Sequence, residues 1–145
     1  MAYRFLDDIT SADMAFEASG KTVEELLASS GMALFNVQVN LKEKQHKAFG
    51  RNFKFSLEAE NIESLLFKFL SELIFIKDSE MLLLGEFKLD VKKERGLFKL
   101  DVDANGDEIS SFGDSLIEDV KAVSMHRFSV KKKDDLFAAT VVLDV

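Results

Sequence analysis

The strongest constraint on the fold is an apolar stripe that begins at Ile62 and recurs every three or four residues. Its members are Ile62, Leu65, Leu66, Phe69, Leu70, Leu73 and Ile74. This spacing places them on one face of an α-helix, and the preceding Asn61 has a side-chain oxygen that can cap the first turn. The stripe therefore predicts a helix that packs one face against the rest of the chain.

A second helix is predicted from Thr22 to about Val37. Thr22 and Glu25 have the spacing of a capping box, in which each side chain accepts a main-chain amide at the start of a helix. Apolar residues then recur at helical spacing. Ser30 and Gly31 among them are small enough to let this helix approach a neighbouring element closely.

Apolar and polar residues alternate in much of the remaining chain, which is typical of strands with one buried face. Residues 5–20 are interpreted as two short strand pieces flanking an acidic loop, and residues 109–118 have no clear pattern and are predicted to be a loop. Residues 41–47 are a charged connector. The other predicted strands are residues 53–58, 86–92, 97–103, 120–130 and 136–145. Residues 86–92 and 97–103 are expected to form a hairpin through residues 94–96.

These elements predict an α+β fold in which two helices pack on one mostly antiparallel sheet, in the order β-α-β-α-β-β-β-β. With 145 residues, of which 47% are hydrophobic, the chain has the size of one compact domain. We expect residues 1–145 to form that single domain.

The charge balance argues against direct binding to DNA or RNA. The net charge is −7, and no run of basic residues is longer than Lys131 to Lys133, so the overall field repels a phosphate backbone. Cysteine is absent, which excludes disulfides and thiolate ligands. The longest nearly apolar run, residues 65–76, is too short to span a bilayer. We expect a cytoplasmic protein that does not associate with membranes.

Most candidate motifs for chemistry are incomplete. Residues 101–106 match the first half of an EF-hand calcium loop, but Phe112 stands where that loop has a bidentate glutamate. We interpret this run as a strand end followed by an Asn-Gly turn. His46 is interpreted as a solvated side chain and His126 as a hydrogen-bonded strand residue. None of the common catalytic motifs is present, so an independent enzyme would have to use carboxylates, lysine or histidine alone.

Carboxylates at strand ends are the remaining candidates for a site. Asp13 precedes a predicted strand, and Asp144 and Val145 close the last one. Clustered carboxylates hold hard cations such as Ca²⁺, Mg²⁺ or Mn²⁺. If the terminal strand pairs with the N-terminal strand, these residues come together; on the residues alone, solvated acids at strand ends remain the simpler interpretation.

Several segments, taken together and in order, resemble the archease family. They are residues 12–18 (ADMAFEA), Gly20, residues 22–26 (TVEEL), residues 33–35 (ALF), residues 65–73 (LLFKFLSEL), Asp78 just after that helix, residues 121–126 (KAVSMH) and residues 142–145 (VLDV). No one segment is specific alone, but the set extends over nearly the whole chain.

The resemblance implies a protein that activates a GTP-dependent RNA ligase and is not itself an enzyme. That ligase joins cyclic-phosphate or 3′-phosphate RNA ends to 5′-hydroxyl ends in tRNA splicing and RNA repair, and archeases promote its guanylation and multiple turnover. The resemblance assigns a divalent-metal site to Asp13, Asp144 and Val145, and a role in activation to Lys121. The implied partner is the ligase, with tRNA engaged only through it.

The chain departs from the family at its first motif. Many members read Asp-His-Thr-Ala-Asp, whereas residues 7–13 read DDITSAD, with no histidine and about two extra residues. Asp8 is a candidate oxygen ligand in place of that histidine. Two other functions stay open: a general chaperone or protein-binding module with a structural metal site, and a metal-dependent hydrolase of RNA or nucleotides. Assays of client aggregation and of turnover by the purified protein would discriminate them.

Overall fold

The computed structural model describes residues 2–6, 13–40 and 49–145. Asp8, His46 and the predicted connector at residues 41–47 lie outside the described residues. The strands are β1 (Ala2–Leu6), β2 (Asp13–Gly20), β3 (Arg51–Ala59), β4 (Leu82–Glu94), β5 (Leu97–Glu108), β6 (Ala122–Lys133) and β7 (Leu136–Asp144). The helices are α1 (Val23–Gln38), α2 (Ile62–Glu80) and a 3₁₀ helix (Ile109–Ser115).

The predicted architecture of one sheet in the order β-α-β-α-β-β-β-β was wrong. The strands form two antiparallel sheets: sheet 1 has the strand order β1-β2-β7-β6, and sheet 2 has the order β3-β5-β4. Two strands, β1 and β2, precede α1 and pair with each other, whereas the predicted order has one strand there. A third, 3₁₀ helix follows β5.

The helices explain why a second sheet is needed. Residues on most sides of α1 are buried, among them Leu26, Leu27, Ala33, Leu34, Phe35 and Val37. One sheet packs against only one face of a helix, so a helix that is buried on most sides requires a second packing layer. Accordingly, α1 contacts β2 of sheet 1 and β4 of sheet 2, and α2 contacts β6 of sheet 1 and β3 of sheet 2. The shared core includes Phe16, Phe69 and Leu100.

Both predicted helix starts are confirmed. The Thr22 hydroxyl accepts the Glu25 N–H at 3.1 Å, and Asn61 Oδ1 accepts the Ser64 N–H at 2.7 Å. Each cap satisfies an amide that has no partner within the helix. The small residue Gly31 also acts as predicted, because a Cβ there would lie 2.8 Å from the ring of Phe87 in sheet 2.

No helix in the described part of the chain has both the length and the apolar composition that crossing a membrane requires. This includes α2, which carries the longest nearly apolar run of the sequence.

The hairpin predicted between β4 and β5 is confirmed, and its strands are longer than expected. Arg95 and Gly96 form the turn, and their φ angles of 52° and 81° are those of a two-residue hairpin loop with both central residues left-handed. Every residue from Leu97 to Glu108 belongs to β5.

The interpretation of residues 105 and 106 as a turn was wrong, and this described segment forms no EF-hand loop. Asn105 and Gly106 pair with both β3 and β4 inside sheet 2. The β4 register shifts beside them, and a Cβ on Gly106 would overlap the carbonyl oxygen of Leu83. The glycine is therefore explained by a bulge that brings two main chains into close contact.

The segment predicted as a loop, residues 109–118, begins with the 3₁₀ helix. Ser111 Oγ donates to the Glu108 carbonyl oxygen at 2.7 Å, and Gly113 interrupts the helix with a φ of 52°. Phe112 is buried with its ring centroid 5.7 Å from that of Phe35. One buried aromatic residue leaves no periodic signal, which is why the sequence pattern did not predict this helix.

Candidate functional site

Asp13 and Asp144 lie directly opposite each other in sheet 1. Asp13 is the first residue of β2, Asp144 is the last residue of β7, and the two are register partners. Directly opposed residues in an antiparallel pair have Cα atoms about 4.5 to 5.5 Å apart and side chains on the same face of the sheet. The pairing of the terminal strand with an N-terminal strand, which was the condition for these residues to come together, is present.

Lys121 is attached to the same strand end through its main chain. Its N–H donates to the carbonyl oxygen of Asp144 at 2.8 Å, and the next residue, Ala122, is the β6 register partner of Asp144. Asp144 therefore stands between Asp13 on one side and Lys121 with Ala122 on the other. The side chains of Asp144 and Lys121 are both exposed, and Asp13 is half-buried.

Val145 follows Asp144, and its half-buried side chain packs against the hydrophobic core. Successive residues of an extended chain point to opposite faces, so the Asp144 carboxylate projects away from that core. Any contribution of Val145 to a site at this strand end comes from its main-chain carbonyl oxygen.

The donor set suits a hard cation. Two carboxylates and a main-chain oxygen are the ligand types that Ca²⁺, Mg²⁺ and Mn²⁺ prefer. Like charges directly opposite each other destabilise a sheet, and a cation bound between Asp13 and Asp144 would remove that repulsion. The described residues contain no group of three or more His, Cys, Asp or Glu side chains that could hold a metal. Further ligands would be main-chain oxygens, water or residues such as Asp8.

His126 lies close in sequence but has a different environment. It is exposed in a part of β6 where the register with β7 is interrupted, between Ser124 and Ser129. Its main-chain N–H donates to Ser124 Oγ at 3.0 Å. This bond involves the main chain and does not test the predicted hydrogen bond of the imidazole, which is exposed.

Sequence reasoning did not single out Lys77, the one charged residue that is buried in the described part of the chain. Its ammonium contacts the Asp119 carboxylate, donates to the Val120 carbonyl oxygen at 2.5 Å and lies 3.5 Å from Asp78. Asp78 belongs to the last turn of α2 and does not follow the helix as expected. A signal was present, because Lys77 falls four residues after Leu73 and continues the apolar stripe.

This geometry defines a class of protein in which two helices lie between two antiparallel sheets and the chain ends meet in an acidic strand pair. Comparison with known proteins then identifies the family. The model of the "Archease protein family (MTH1598/TM1083)" matches residues 3–145. The chain belongs to the archease family, and the resemblance found in the sequence is confirmed.

Individual relatives agree over nearly their full lengths. The chain is 31% identical to protein archease of Pyrococcus furiosus, covering 93% of this chain and 94% of that protein. It is 30% identical to protein archease of Methanosarcina barkeri, covering 99% and 95%. The solution structure of Methanobacterium thermoautotrophicum protein 1598 superposes with a TM-score of 0.83 at 30% identity, covering 99% and 98%.

A more distant structure shares the fold. The crystal structure of a Thermotoga maritima protein, described as an archease and possible chaperone, superposes with a TM-score of 0.56 at 20% identity. It covers 98% of this chain and 98% of the Thermotoga protein.

Proposed function

We propose that this protein activates a GTP-dependent RNA ligase through a divalent cation held at the Asp13–Asp144 strand pair. It promotes guanylation of the ligase and multiple turnover, and it engages tRNA only through that partner. Membership of the archease family supports the proposal. The observation that carries it is the register of β2 and β7, because residues from opposite ends of the sequence, each matching a family motif, are direct neighbours.

Each residue has a defined part in this proposal. Asp13 and Asp144 would hold the cation with their carboxylates, Val145 would add a main-chain oxygen, and Asp8 is a further candidate ligand. A divalent cation bound by these residues would supply positive charge that neutralises phosphoryl oxygens during nucleotidyl transfer. The exposed ammonium of Lys121 contacts a phosphate of the ligase-bound nucleotide, while its N–H holds the Asp144 main chain.

The test is a guanylation assay of the partner ligase with Asp13→Ala and Asp144→Ala proteins. Each change removes a carboxylate, and we expect the stimulation of guanylation to fall by about 100-fold or more, because a catalytic cation contributes several kcal/mol. Asp90→Ala and Asp101→Ala are matched controls, since these aspartates are also register partners across two antiparallel strands. Full stimulation by both site variants would refute the proposed site.

A chaperone or protein-binding role is the second candidate. The Thermotoga relative is described as a possible chaperone, and this chain exposes Phe75 and Met81 at the C-terminal end of α2, with 61% and 57% of their surface accessible. This role predicts that the protein suppresses aggregation of unrelated clients. It also predicts that Asp13→Ala leaves that suppression unchanged.

A further inference from the structure

We infer that Lys77, in α2, is a positioning residue. By fixing the main chain next to Lys121, it holds Lys121 and Asp144 in place. The inference rests on the proposed function for the importance of that site. It concerns residues 116–121, which connect the 3₁₀ helix to β6. Apart from a single bridge between Leu116 and Val39, these residues belong to no helix or strand.

Residues outside regular structure depend on individual contacts for their position. Near the start of the segment, the Ile117 N–H donates to the Gln38 carbonyl oxygen at 2.9 Å. Near its end, Val120 is fully buried and its carbonyl oxygen accepts the Lys77 ammonium at 2.5 Å. Lys77 thereby fixes the main chain one residue before Lys121.

From Lys121 the contacts continue to the acidic strand pair. The Lys121 N–H donates to the Asp144 carbonyl oxygen at 2.8 Å, and Asp144 is the register partner of Asp13. One chain of direct contacts and peptide bonds therefore joins Lys77 in α2 to the main chain of Asp144, from which one of the two carboxylates projects. Residues that orient ligands in this way commonly set the affinity of a metal site.

The burial of Lys77 argues that stability alone does not explain it. Only 5% of its side chain is accessible, while the Asp119 side chain is 74% accessible. Removing an ammonium from water is costly, and an apolar residue continuing the α2 stripe would fill the same space without that cost. A buried cation that donates to a defined carbonyl oxygen instead selects one conformation of the segment.

The test titrates the full-length protein with Mn²⁺ alone and compares two methionine variants. Lys77→Met removes the ammonium and keeps an unbranched apolar side chain. Lys68→Met is the matched control, because Lys68 is an exposed residue of the same helix that donates to a main-chain carbonyl oxygen, that of Glu58, at 2.8 Å. We expect the Mn²⁺ Kd to rise by about 10-fold in Lys77→Met, the low end for residues that orient a ligand, and to stay unchanged in Lys68→Met.

Amide hydrogen exchange provides a readout that does not require the metal. We expect exchange at the Lys121 amide to accelerate in Lys77→Met by about 10-fold more than exchange at the buried Leu100 in sheet 2, which reports global opening. Asp119→Asn acts through a largely exposed side chain and should shift both measurements in the same direction. If Lys77→Met does not fold, the Asp119→Asn protein tests the positioning role of Lys77 by the same two measurements.

The outcomes separate this inference from the proposed function. If the unmodified protein binds none of Mn²⁺, Mg²⁺ and Ca²⁺, the carboxylate site is refuted, and the Lys121 amide still decides the role of Lys77. If the protein binds Mn²⁺ but Lys77→Met and Asp119→Asn match the Lys68→Met control in both affinity and exchange, the positioning role is overturned.

Discussion

Two pairs of aspartates lie directly opposite each other in the described part of the chain, and their surroundings differ. Asp90 and Asp101 face each other across β4 and β5 on the outer face of sheet 2. Ser56 Oγ donates to Asp101 Oδ1 at 2.6 Å, and the Lys92 ammonium lies 3.7 Å from Asp90. Lysines occupy neighbouring register positions on the same face, namely Lys54, Lys88, Lys92 and Lys99.

The Asp13–Asp144 pair stands at the end of two strands of sheet 1. Among the described residues Asp144 forms no salt bridge, and Lys121 contacts it through main-chain atoms. Repulsion between two opposed carboxylates favours nearby positive charge or hydrogen-bond donors. In sheet 2 the Lys92 ammonium and the Ser56 hydroxyl provide them. Under the proposed function, a cation would provide positive charge in sheet 1, in addition to the interactions that Asp13 already makes.

The largest effect expected from this difference is the response of stability to a divalent cation. With free Mn²⁺ at about 100 times its Kd, binding confined to the folded state raises the free energy of unfolding by about 2.7 kcal/mol. Asp144→Asn should abolish this gain, because it removes a charged ligand. Urea denaturation with and without Mn²⁺ measures it.

Asp90→Asn is the matched control for this experiment, since it changes the same residue type in the other pair. It should retain the full Mn²⁺ response. An equal loss in both variants would show that the cation acts on the overall negative charge of the surface, and the distinction between the two pairs would be lost.

The next largest expected effect distinguishes the role of the Lys121 ammonium from that of its main-chain N–H. In Lys121→Ala the main-chain N–H that holds Asp144 is kept, while the ammonium is lost. We expect stimulation of ligase guanylation to fall about 10-fold, equivalent to about 1.4 kcal/mol, and the Mn²⁺ Kd to change by less than about twofold.

Lys54→Ala, which removes an exposed lysine from sheet 2, should change neither quantity. A large increase in the Mn²⁺ Kd of Lys121→Ala would mean that the ammonium acts on the carboxylates themselves and not on the ligase-bound nucleotide.

Parts of this structure could be predicted because their information is local. The α2 stripe, the Thr22 and Asn61 caps and the β4–β5 hairpin depend on residues within a few positions of one another. The pairing of β2 with β7 was predicted correctly only as a condition, since nothing in the spacing of Asp13 and Asp144 specifies which strands are neighbours.

The division into two sheets could not be predicted in the same way. An alternating strand pattern gives the buried face but does not say which layer that face packs on. The relevant feature is that α1 has buried residues on different sides, such as Leu26, Ser29 and Phe35. A helix buried in this way needs a packing partner on more than one side. Lys77 was missed because its partners Asp119 and Val120 are distant in sequence.

The smallest expected effect is also the most direct test of the contrast between the two pairs. In the presence of a chelator, Asp144→Asn removes one of two opposed charges and should raise the free energy of unfolding by about 0.2 to 1 kcal/mol. Asp101→Asn should lower it by a similar amount, about 0.2 to 1 kcal/mol, because that carboxylate accepts the Ser56 hydroxyl at 2.6 Å. The two changes are chemically identical, so unfolded-state effects largely cancel. Shifts of the same sign in urea denaturation would mean that the local charges of sheet 2 do not compensate its aspartates, and the physical basis for placing the cation in sheet 1 would be removed.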